Sequence, residues 1–186
     1  MIVTSIEASE LAIPFKGAFK HAAAERQAMQ SLWVRACAAS GEVGFGEGCP
    51  REYVTAESLS TALAFVDRHR TEWIADIHDF QALTTWVETH EALIDTHPAA
   101  WTAVELSLLD VFGKLRRCSV ECLLDVPELA GRFQYTAILG DGATEQFVAQ
   151  LERFLKAGFS TFKIKLSPDR RQNEAKIRQL MSAGID

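Results

Sequence analysis

Two lysines close together on one short segment, Lys163 and Lys165, have a type and spacing that could do chemistry. Apolar and polar residues alternate over 161–166, which predicts a β-strand with both lysines on one face, roughly 7 Å apart. A lysine that is partly neutral near pH 7 can abstract a proton, and a charged neighbour can stabilise the resulting anion. Such chemistry requires the strand to lie inside the fold, because two ammonium groups on a wet edge strand are ordinary surface residues.

The elements around this segment form a regular series. The sequence predicts a strand over 133–139, a helix over 144–157, the lysine strand over 161–166, and a helix over 169–183 that follows Ser167 and Pro168 as cap and first-turn proline. This order is typical of a βαβ unit with parallel strands. Parallel strands are normally covered on both faces, so the lysine face leaves two interpretations open. One is an edge strand of an open α/β sheet with its lysines in water; the other is a closed (β/α) barrel with the lysines in its centre.

The preceding residues have a different pattern. Strands predicted over 2–13, 28–39 and 43–47 form an antiparallel meander, and Gly44 and Gly46 in the third strand indicate a bulge or a close backbone approach. Helices are predicted over 57–69 with Thr55 as its cap, over 79–93, and over 99–114. The last helix is apolar nearly all round and therefore buried. Glu105 and Asp110 on it are predicted to be partly buried acids, which either tether helix ends or loops, the favoured interpretation, or take part in catalysis.

Two predicted loops carry residues suited to binding. The first follows Pro14 over 15–21, and the second spans 49–53. They are either plain surface connections or mobile lids, since binding residues gather on loops that a rigid scaffold positions. The candidate binding residues are Phe19, Lys20 and His21 in the first loop and Arg51 and Tyr53 in the second.

Composition excludes several classes of protein. The net charge is −6, which argues against a nucleic-acid or anionic-membrane partner, and the basic residues at 170–178 are interpreted as a solvated helix face. The four cysteines form no CxxC pair and no zinc spacing. Neither a signal peptide nor a run of about 20 apolar residues is present, so we expect a cytoplasmic protein with reduced thiols.

Ordered motifs along the whole chain resemble the enolase superfamily, and within it the mandelate racemase/muconate lactonizing enzyme family, whose members include dipeptide epimerases and o-succinylbenzoate synthases. Lys163-Ile164-Lys165 matches the Lys-x-Lys motif of the second barrel strand, and residues 158–162 resemble the approach to it. Residues 44–50 resemble the GxGE stretch of the capping domain. Residues 103–114 resemble the AxExALxDxxGK helix, with Ser107 in place of the usual alanine. Thr136 falls where the subgroup has a threonine near the substrate.

The resemblance implies a fold in two parts. Residues 1–126 would form an α+β capping domain, a three-stranded antiparallel meander plus helices. Residues 127–186 would form the first two βα units of a truncated (β/α)7β TIM-like barrel. The implied enzyme is an isomerase that uses Mg²⁺ to remove the proton α to a carboxylate through an enediolate. It would be a racemase, epimerase or cycloisomerase acting on amino-acid, dipeptide-like or related carboxylates, or else an o-succinylbenzoate synthase-like dehydratase. The alternative of a different class is a non-catalytic binding module.

The resemblance also assigns roles. Lys165 would be the acid/base, with Lys163 as a neighbouring cation; Thr136 and the two lids would contact the substrate. The metal ligands are expected beyond Asp186, so this chain would hold no metal-binding residue and no Mg²⁺ by itself. We therefore expect the chain alone to be inactive, and to pair with a second chain or copy that covers the open barrel edge.

Overall fold

The computed structural model describes the backbone of residues 2–21 and 24–185 and the side chains of residues 2–15 and 28–185. The chain divides into two compact units: the first unit is Met1–Ile13 with Met29–Leu129, and the second unit is Pro14–Ala28 with Ala130–Asp186. The strands are β1 (Val3–His21), β2 (Ala24–Ala38), β3 (Val43–Gly48), β4 (Ala137–Leu139) and β5 (Phe162–Ile164). The helices are α1 (Glu52–Thr55), α2 (Leu59–Asp76), α3 (Phe80–Thr89), α4 (Glu91–Thr96), α5 (Pro98–Arg116), α6 (Val120–Leu123), α7 (Thr144–Lys156) and α8 (Arg170–Ser182).

Strands β1 to β3 form the predicted three-stranded meander, in the order β1-β2-β3. β2 and β3 are antiparallel, with a register that runs from Leu32 opposite Gly48 to Cys37 opposite Val43. The prediction that Pro14 ends β1 is wrong, because the backbone of residues 15–21 continues the strand. A proline is tolerated in a strand at the edge of a sheet, and β2 is long enough to give the extension a partner. The first predicted lid is therefore strand, not loop.

The tightest packing of the first unit joins β3 to α5. A Cβ atom on the β3 glycines would overlap main-chain atoms of α5, so only residues without side chains fit. Gly44, Gly46 and Gly48 face the main-chain oxygens of Ser107, Ala103 and Ala99 respectively. The three helix residues are small and four positions apart, which places them on one face of the helix. This confirms the close backbone approach that the glycine spacing predicts.

The start of α5 is held by a buried carboxylate. Glu57 is 1% exposed and accepts hydrogen bonds from the backbone N–H groups of Ala99 (2.8 Å) and Ala100 (2.9 Å). The first N–H groups of a helix have no partner within the helix, and a negative charge there also interacts favourably with the helix dipole. Nearby, α2 is capped by Ser58 and not by Thr55, since Thr55 lies in α1 and Ala56 adopts a left-handed conformation.

Helices of the first unit pack around an aromatic cluster. The rings of Trp86 and Trp101 stack with centroids 4.4 Å apart, and Trp73 contacts both edge-on. Phe65 and His97 stack beside them at 4.4 Å. These rings, with the apolar residues of β2 and α5, form the main hydrophobic core.

The second unit contains the parallel pair that the sequence predicts. β4 and β5 are parallel, with Ala137 opposite Phe162 and Leu139 opposite Ile164. The small core beside them is formed by Leu139, Phe147, Leu151 and Leu180. Both strands are shorter than the predicted 133–139 and 161–166, because flanking residues such as Tyr135 (75% exposed) and Leu166 (51%) have little packing to hold them.

Two further predictions for the second unit are corrected. Asp169, not Ser167, caps α8, and its side chain accepts from the N–H groups of Arg171 and Gln172. Lys176, predicted on a solvated face of this helix, is 0% exposed. Within the described part of the chain, no helix combines the length and the apolar composition that crossing a membrane requires.

Candidate active site

The lysine pair lies at the carboxyl end of the parallel strands. Lys163 is in β5, opposite Ile138 of β4, and its side chain is exposed. Lys165 follows the last residue of β5, is half-buried, and donates its backbone N–H to the carbonyl of Leu139 at 2.9 Å. In (β/α) barrels the carboxyl ends of the strands carry the catalytic residues. Lys165 thus lies next to the carboxyl end of a parallel strand, and the catalytic role predicted for it stays a prediction.

Thr136 is at the other end of the same strand pair. It comes directly before β4, is exposed, and precedes the first ladder pair of Ala137 with Phe162. Lys165 follows the last ladder pair, so the backbone positions of Thr136 and Lys165 are at opposite ends of the ladder. The structure does not bring these two predicted site residues together.

The second predicted lid is a short helix. Tyr53 lies in α1, a single turn, and is 50% exposed. The guanidinium of Arg51 donates from Nη1 to the carbonyls of Gln30 (2.8 Å) and Pro50 (2.6 Å). Arg51 thereby ties the entry of α1 to β2 within the first unit. Phe19, Lys20 and His21 have side chains outside the described residues.

The acidic residues of the α5 motif have structural contacts. Asp110 Oδ2 accepts from the backbone N–H of Phe45 at 2.9 Å and from Lys114 Nζ at 2.8 Å. Lys114 also donates to the carbonyl of Val43 at 2.7 Å, so both side chains hold β3 against α5. The tethering predicted for Asp110 is confirmed. Burial raises the pKa of the Glu105 carboxyl above its ordinary value.

Metal binding can be tested against the side chains present. Mg²⁺ requires several oxygen ligands, commonly one or two carboxylates with further oxygens. Among the residues that the structure describes, no group of three or more His, Cys, Asp or Glu side chains could hold a metal ion. Asp141, in the loop after β4, is already paired with Lys176 at 2.6 Å. These residues do not supply a magnesium site.

Sequence reasoning missed the residues that hold the loops beyond β4 and β5. Asn173 and Lys176 of α8 bond to Ser167 and Asp141 in those two loops. The available signal was helical spacing, since Lys176 is four residues before the buried Leu180 and therefore on the same face. A lysine on the inner face of a helix needs an acidic partner, and Asp141 lies between two glycines in the preceding loop.

Comparison with known proteins agrees with this arrangement. No family model matches the chain. The L-Ala-D/L-Glu epimerase of Bacillus subtilis is 28% identical over 182 residues, which cover 91% of this chain and 45% of that protein. A crystal structure of the dipeptide epimerase from Methylococcus capsulatus, complexed with Mg and the dipeptide L-Arg-D-Lys, has a TM-score of 0.85 at 22% identity. The muconate lactonizing enzyme from Mycobacterium smegmatis, complexed with muconolactone, also has a TM-score of 0.85, at 24% identity.

The fold is thus similar to that of the capping domain and the start of the barrel in these solved enzymes. Both solved structures are matched over 98% of this chain and about half of their own length (51% and 50%). The chain is similar to the N-terminal part of the mandelate racemase/muconate lactonizing enzyme family, and its curated relatives are dipeptide epimerases. It spans about half the length of those relatives.

Proposed function

We propose that this chain is the N-terminal part of a Mg²⁺-dependent racemase or epimerase that removes the proton α to the carboxylate of an amino-acid or dipeptide-like substrate. The observation that carries the proposal is the position of Lys165, directly after the parallel strand β5 and hydrogen-bonded through its backbone to Leu139 of β4. The similarity to dipeptide epimerases from two organisms supports the choice of reaction. In this proposal residues 1–126 are the capping domain and residues 127–186 begin the barrel.

The two lysines have different proposed roles. Lys165 is the acid/base that takes the α-proton and returns it, from a half-buried position next to the end of β5. Lys163 is the neighbouring cation that stabilises negative charge on the substrate. The exposed Lys163 has the solvent access that a charged group needs.

The metal is proposed from the relatives and not from the residues of this chain. The neighbour from Methylococcus capsulatus is complexed with Mg. Since the described residues offer no ligand set, the ligands would lie outside them, and we infer that the chain alone is inactive. When bound, Mg²⁺ would act as a Lewis acid on the substrate carboxylate.

Substrate contacts remain predictions. Lys20 and His21 would suit an anionic substrate, and Phe19, Arg51, Tyr53 and Thr136 complete the predicted set. Arg51 has its guanidinium hydrogen-bonded to backbone carbonyls, which favours a role in holding α1.

A cycloisomerase is the second candidate. The observation that favours it is the TM-score of 0.85 with a muconate lactonizing enzyme, equal to that with the dipeptide epimerase. Both reactions involve a proton α to a carboxylate, so the lysine pair by itself is compatible with either.

An exchange assay tests the proposal. Dipeptides in D2O with MgCl2 are incubated with the chain alone, and with the chain mixed with the C-terminal half of the Methylococcus capsulatus epimerase. We expect no deuterium at the α-carbon with the chain alone, and incorporation with the mixture that Lys165→Ala abolishes. Metal-dependent exchange by the chain alone would contradict its inactivity. Incorporation that survives Lys165→Ala would contradict the role of Lys165, and turnover of cis,cis-muconate without exchange would favour the cycloisomerase.

We also propose that a second chain or a second copy covers the outer side of β5. A groove of about 350 Å³ lies there in the second unit, mostly lined by apolar side chains. These are Phe162, Ile164, Ile177, Leu180, Met181 and Ile185. Exposed apolar surface of this kind marks an interaction site. Analytical ultracentrifugation checks the proposal: a monomer at all concentrations, together with no binding of the C-terminal epimerase half, would contradict it.

A further inference from the structure

The side chain of Asn173 pairs with the backbone of one residue beyond the lysine strand. Its Oδ1 accepts from the backbone N–H of Ser167 at 2.9 Å, and its Nδ2 donates to the carbonyl of Ser167 at 2.7 Å. One amide group thus satisfies both main-chain polar groups of a residue outside any helix or strand. Because both bonds go to the same residue, they restrain the direction of the chain and not only its position.

A second side chain of α8 acts on the neighbouring loop. Lys176 Nζ donates to Asp141 Oδ1 at 2.6 Å, with the lysine side chain 0% and the aspartate side chain 10% exposed. The ammonium group also lies 6.0 Å from the centre of the Phe147 ring. Breaking a buried ion pair by removing one partner is costly, since the remaining charge is left without compensation. The loop after β4 is therefore held in one arrangement relative to α8.

The residues that Asn173 and Lys176 contact, which we call the two anchors, lie equally far beyond the last hydrogen bond between β4 and β5. That bond joins the N–H of Lys165 to the carbonyl of Leu139. Ser167 is two residues beyond Lys165, and Asp141 is two residues beyond Leu139. Asn173 and Lys176 are three residues apart on α8 and so lie on the same face of that helix. One face of α8 therefore holds the two backbone segments that leave β4 and β5.

We propose that Asn173 and Lys176 are positioning residues for Lys165, which fix the strand end that carries it relative to β4. The functional meaning of this inference rests on the proposed role of Lys165 in proton transfer. A proton-transfer group must be within hydrogen-bond reach of its substrate, and a displacement of about 1 Å can cost on the order of a hundredfold in rate. β5 has only three residues, and Lys165 follows it with one backbone hydrogen bond to β4, so contacts beyond the strand pair add restraint at this end.

Amide hydrogen exchange measured by NMR tests the proposal, because the Lys165 N–H bonds to Leu139 and reports on both anchors. Asn173→Ala removes two hydrogen bonds, and we expect exchange at Lys165 to become about tenfold faster. Asn173→Asp keeps an acceptor for the Ser167 N–H but puts a carboxylate oxygen in place of the Nδ2 donor, 2.7 Å from the Ser167 carbonyl oxygen. The two oxygens repel each other, so we expect an acceleration at least as large as in Asn173→Ala. Gln179→Ala, at an exposed position of α8, is the matched control and should leave the rate unchanged.

Exchange at Leu151 in α7 separates positioning from general stability. A positioning role predicts that Lys165 accelerates selectively, whereas a merely structural role would accelerate Leu151 and Lys165 together. Lys176→Met leaves Asp141 unpaired and can unfold the unit, so the double variant Asp141→Leu/Lys176→Met, which removes both charges, is measured as well. We expect the double variant to keep Leu151 protected and to release Lys165.

Two results would overturn the inference. In the first, the Lys165 amide exchanges at the same rate in Asn173→Ala and in the double variant as in Gln179→Ala. In the second, its exchange rate rises only in parallel with that of the Leu151 amide. This measurement needs no catalysis. Selective acceleration at Lys165, together with α-proton exchange in the mixed assay that survives Lys165→Ala, would overturn the proposed role of Lys165 and still support the positioning role.

Discussion

In the first unit α5 contacts the backbone of β3 directly, whereas in the second unit α8 contacts the loops after β4 and β5 through long polar side chains. The first contact works because Gly44, Gly46 and Gly48 have no Cβ atoms to obstruct the helix. The second depends on Asn173 and on the buried pair of Lys176 with Asp141. A contact between backbones tolerates no added atom, while a polar pair tolerates replacement of both partners but not of one.

The hydrophobic cores of the two units also differ, in their size. The first unit has a continuous core that includes three nearly inaccessible tryptophans. The second has a small core, formed by Leu139, Phe147, Leu151 and Leu180. We infer that the burial of apolar side chains supplies most of the stability of the first unit. Single polar interactions then contribute a larger share of the stability of the second unit.

The largest expected effect comes from breaking the buried pair. Lys176→Met leaves the Asp141 carboxylate buried without a partner, and we expect a loss of about 3 kcal/mol or more in the free energy of unfolding of the second unit. Asp141→Leu/Lys176→Met should recover most of that loss. Hydrogen exchange of α7 and α8 measures the effect. If the double variant is as unstable as the single one, the pair is not the source of the loss.

The glycine contact is expected to give the next largest effect. Gly46→Ala would force a Cβ atom into the main chain of α5 at Ala103, at an expected cost of about 3 kcal/mol. Gly140→Ala in the second unit is the matched control, because the nearest atom to its Cβ would be 4.0 Å away, and we expect a change within about 0.5 kcal/mol. Urea unfolding is followed by tryptophan fluorescence for Gly46, since all four tryptophans are in the first unit, and by circular dichroism for Gly140. Equal costs at the two glycines would remove the contrast between the units.

The smallest expected effect is a pH dependence in the first unit. Burial raises the pKa of Glu105 above the model-compound value of 4.5 in the folded protein, so the folded state binds this proton more tightly than the unfolded state. The free energy of unfolding should therefore fall as the pH rises from about 4.5 through the raised pKa. Glu105→Gln lacks this fall, so it should be more stable than the parent at pH 7 by less than about 1 kcal/mol, and nearly equal to it at pH 4.

Urea unfolding at the two pH values measures the difference, with Glu88→Gln at an exposed position of α3 as the control. A stability gain in Glu105→Gln that is the same at pH 4 and pH 7 would show that packing, and not ionisation, is responsible.

Much of the fold could be predicted because local signals agreed with packing. The bounds of α5 and α7 follow from Pro98, from the apolar spacing and from Gly158, which has the left-handed backbone expected of a helix stop (φ 86°). The alternation predicts the strand that contains Lys163, although β5 ends at Ile164, before Lys165. One error concerned a strand end, since β1 continues past Pro14 in a sheet where β2 is its neighbour.

The sequence by itself determined which residue types alternate, where helices can begin and end, and the presence of two lysines two positions apart. These features depend on residues a few positions apart, whose geometry the backbone dictates. Only the tertiary structure decided that Lys176 is buried against Asp141 and that Asn173 hydrogen-bonds to both main-chain polar groups of Ser167. It also decided that Lys165 lies at the carboxyl end of the ladder. Those contacts join residues on different elements, and whether a polar side chain meets water or a partner depends on how the elements pack.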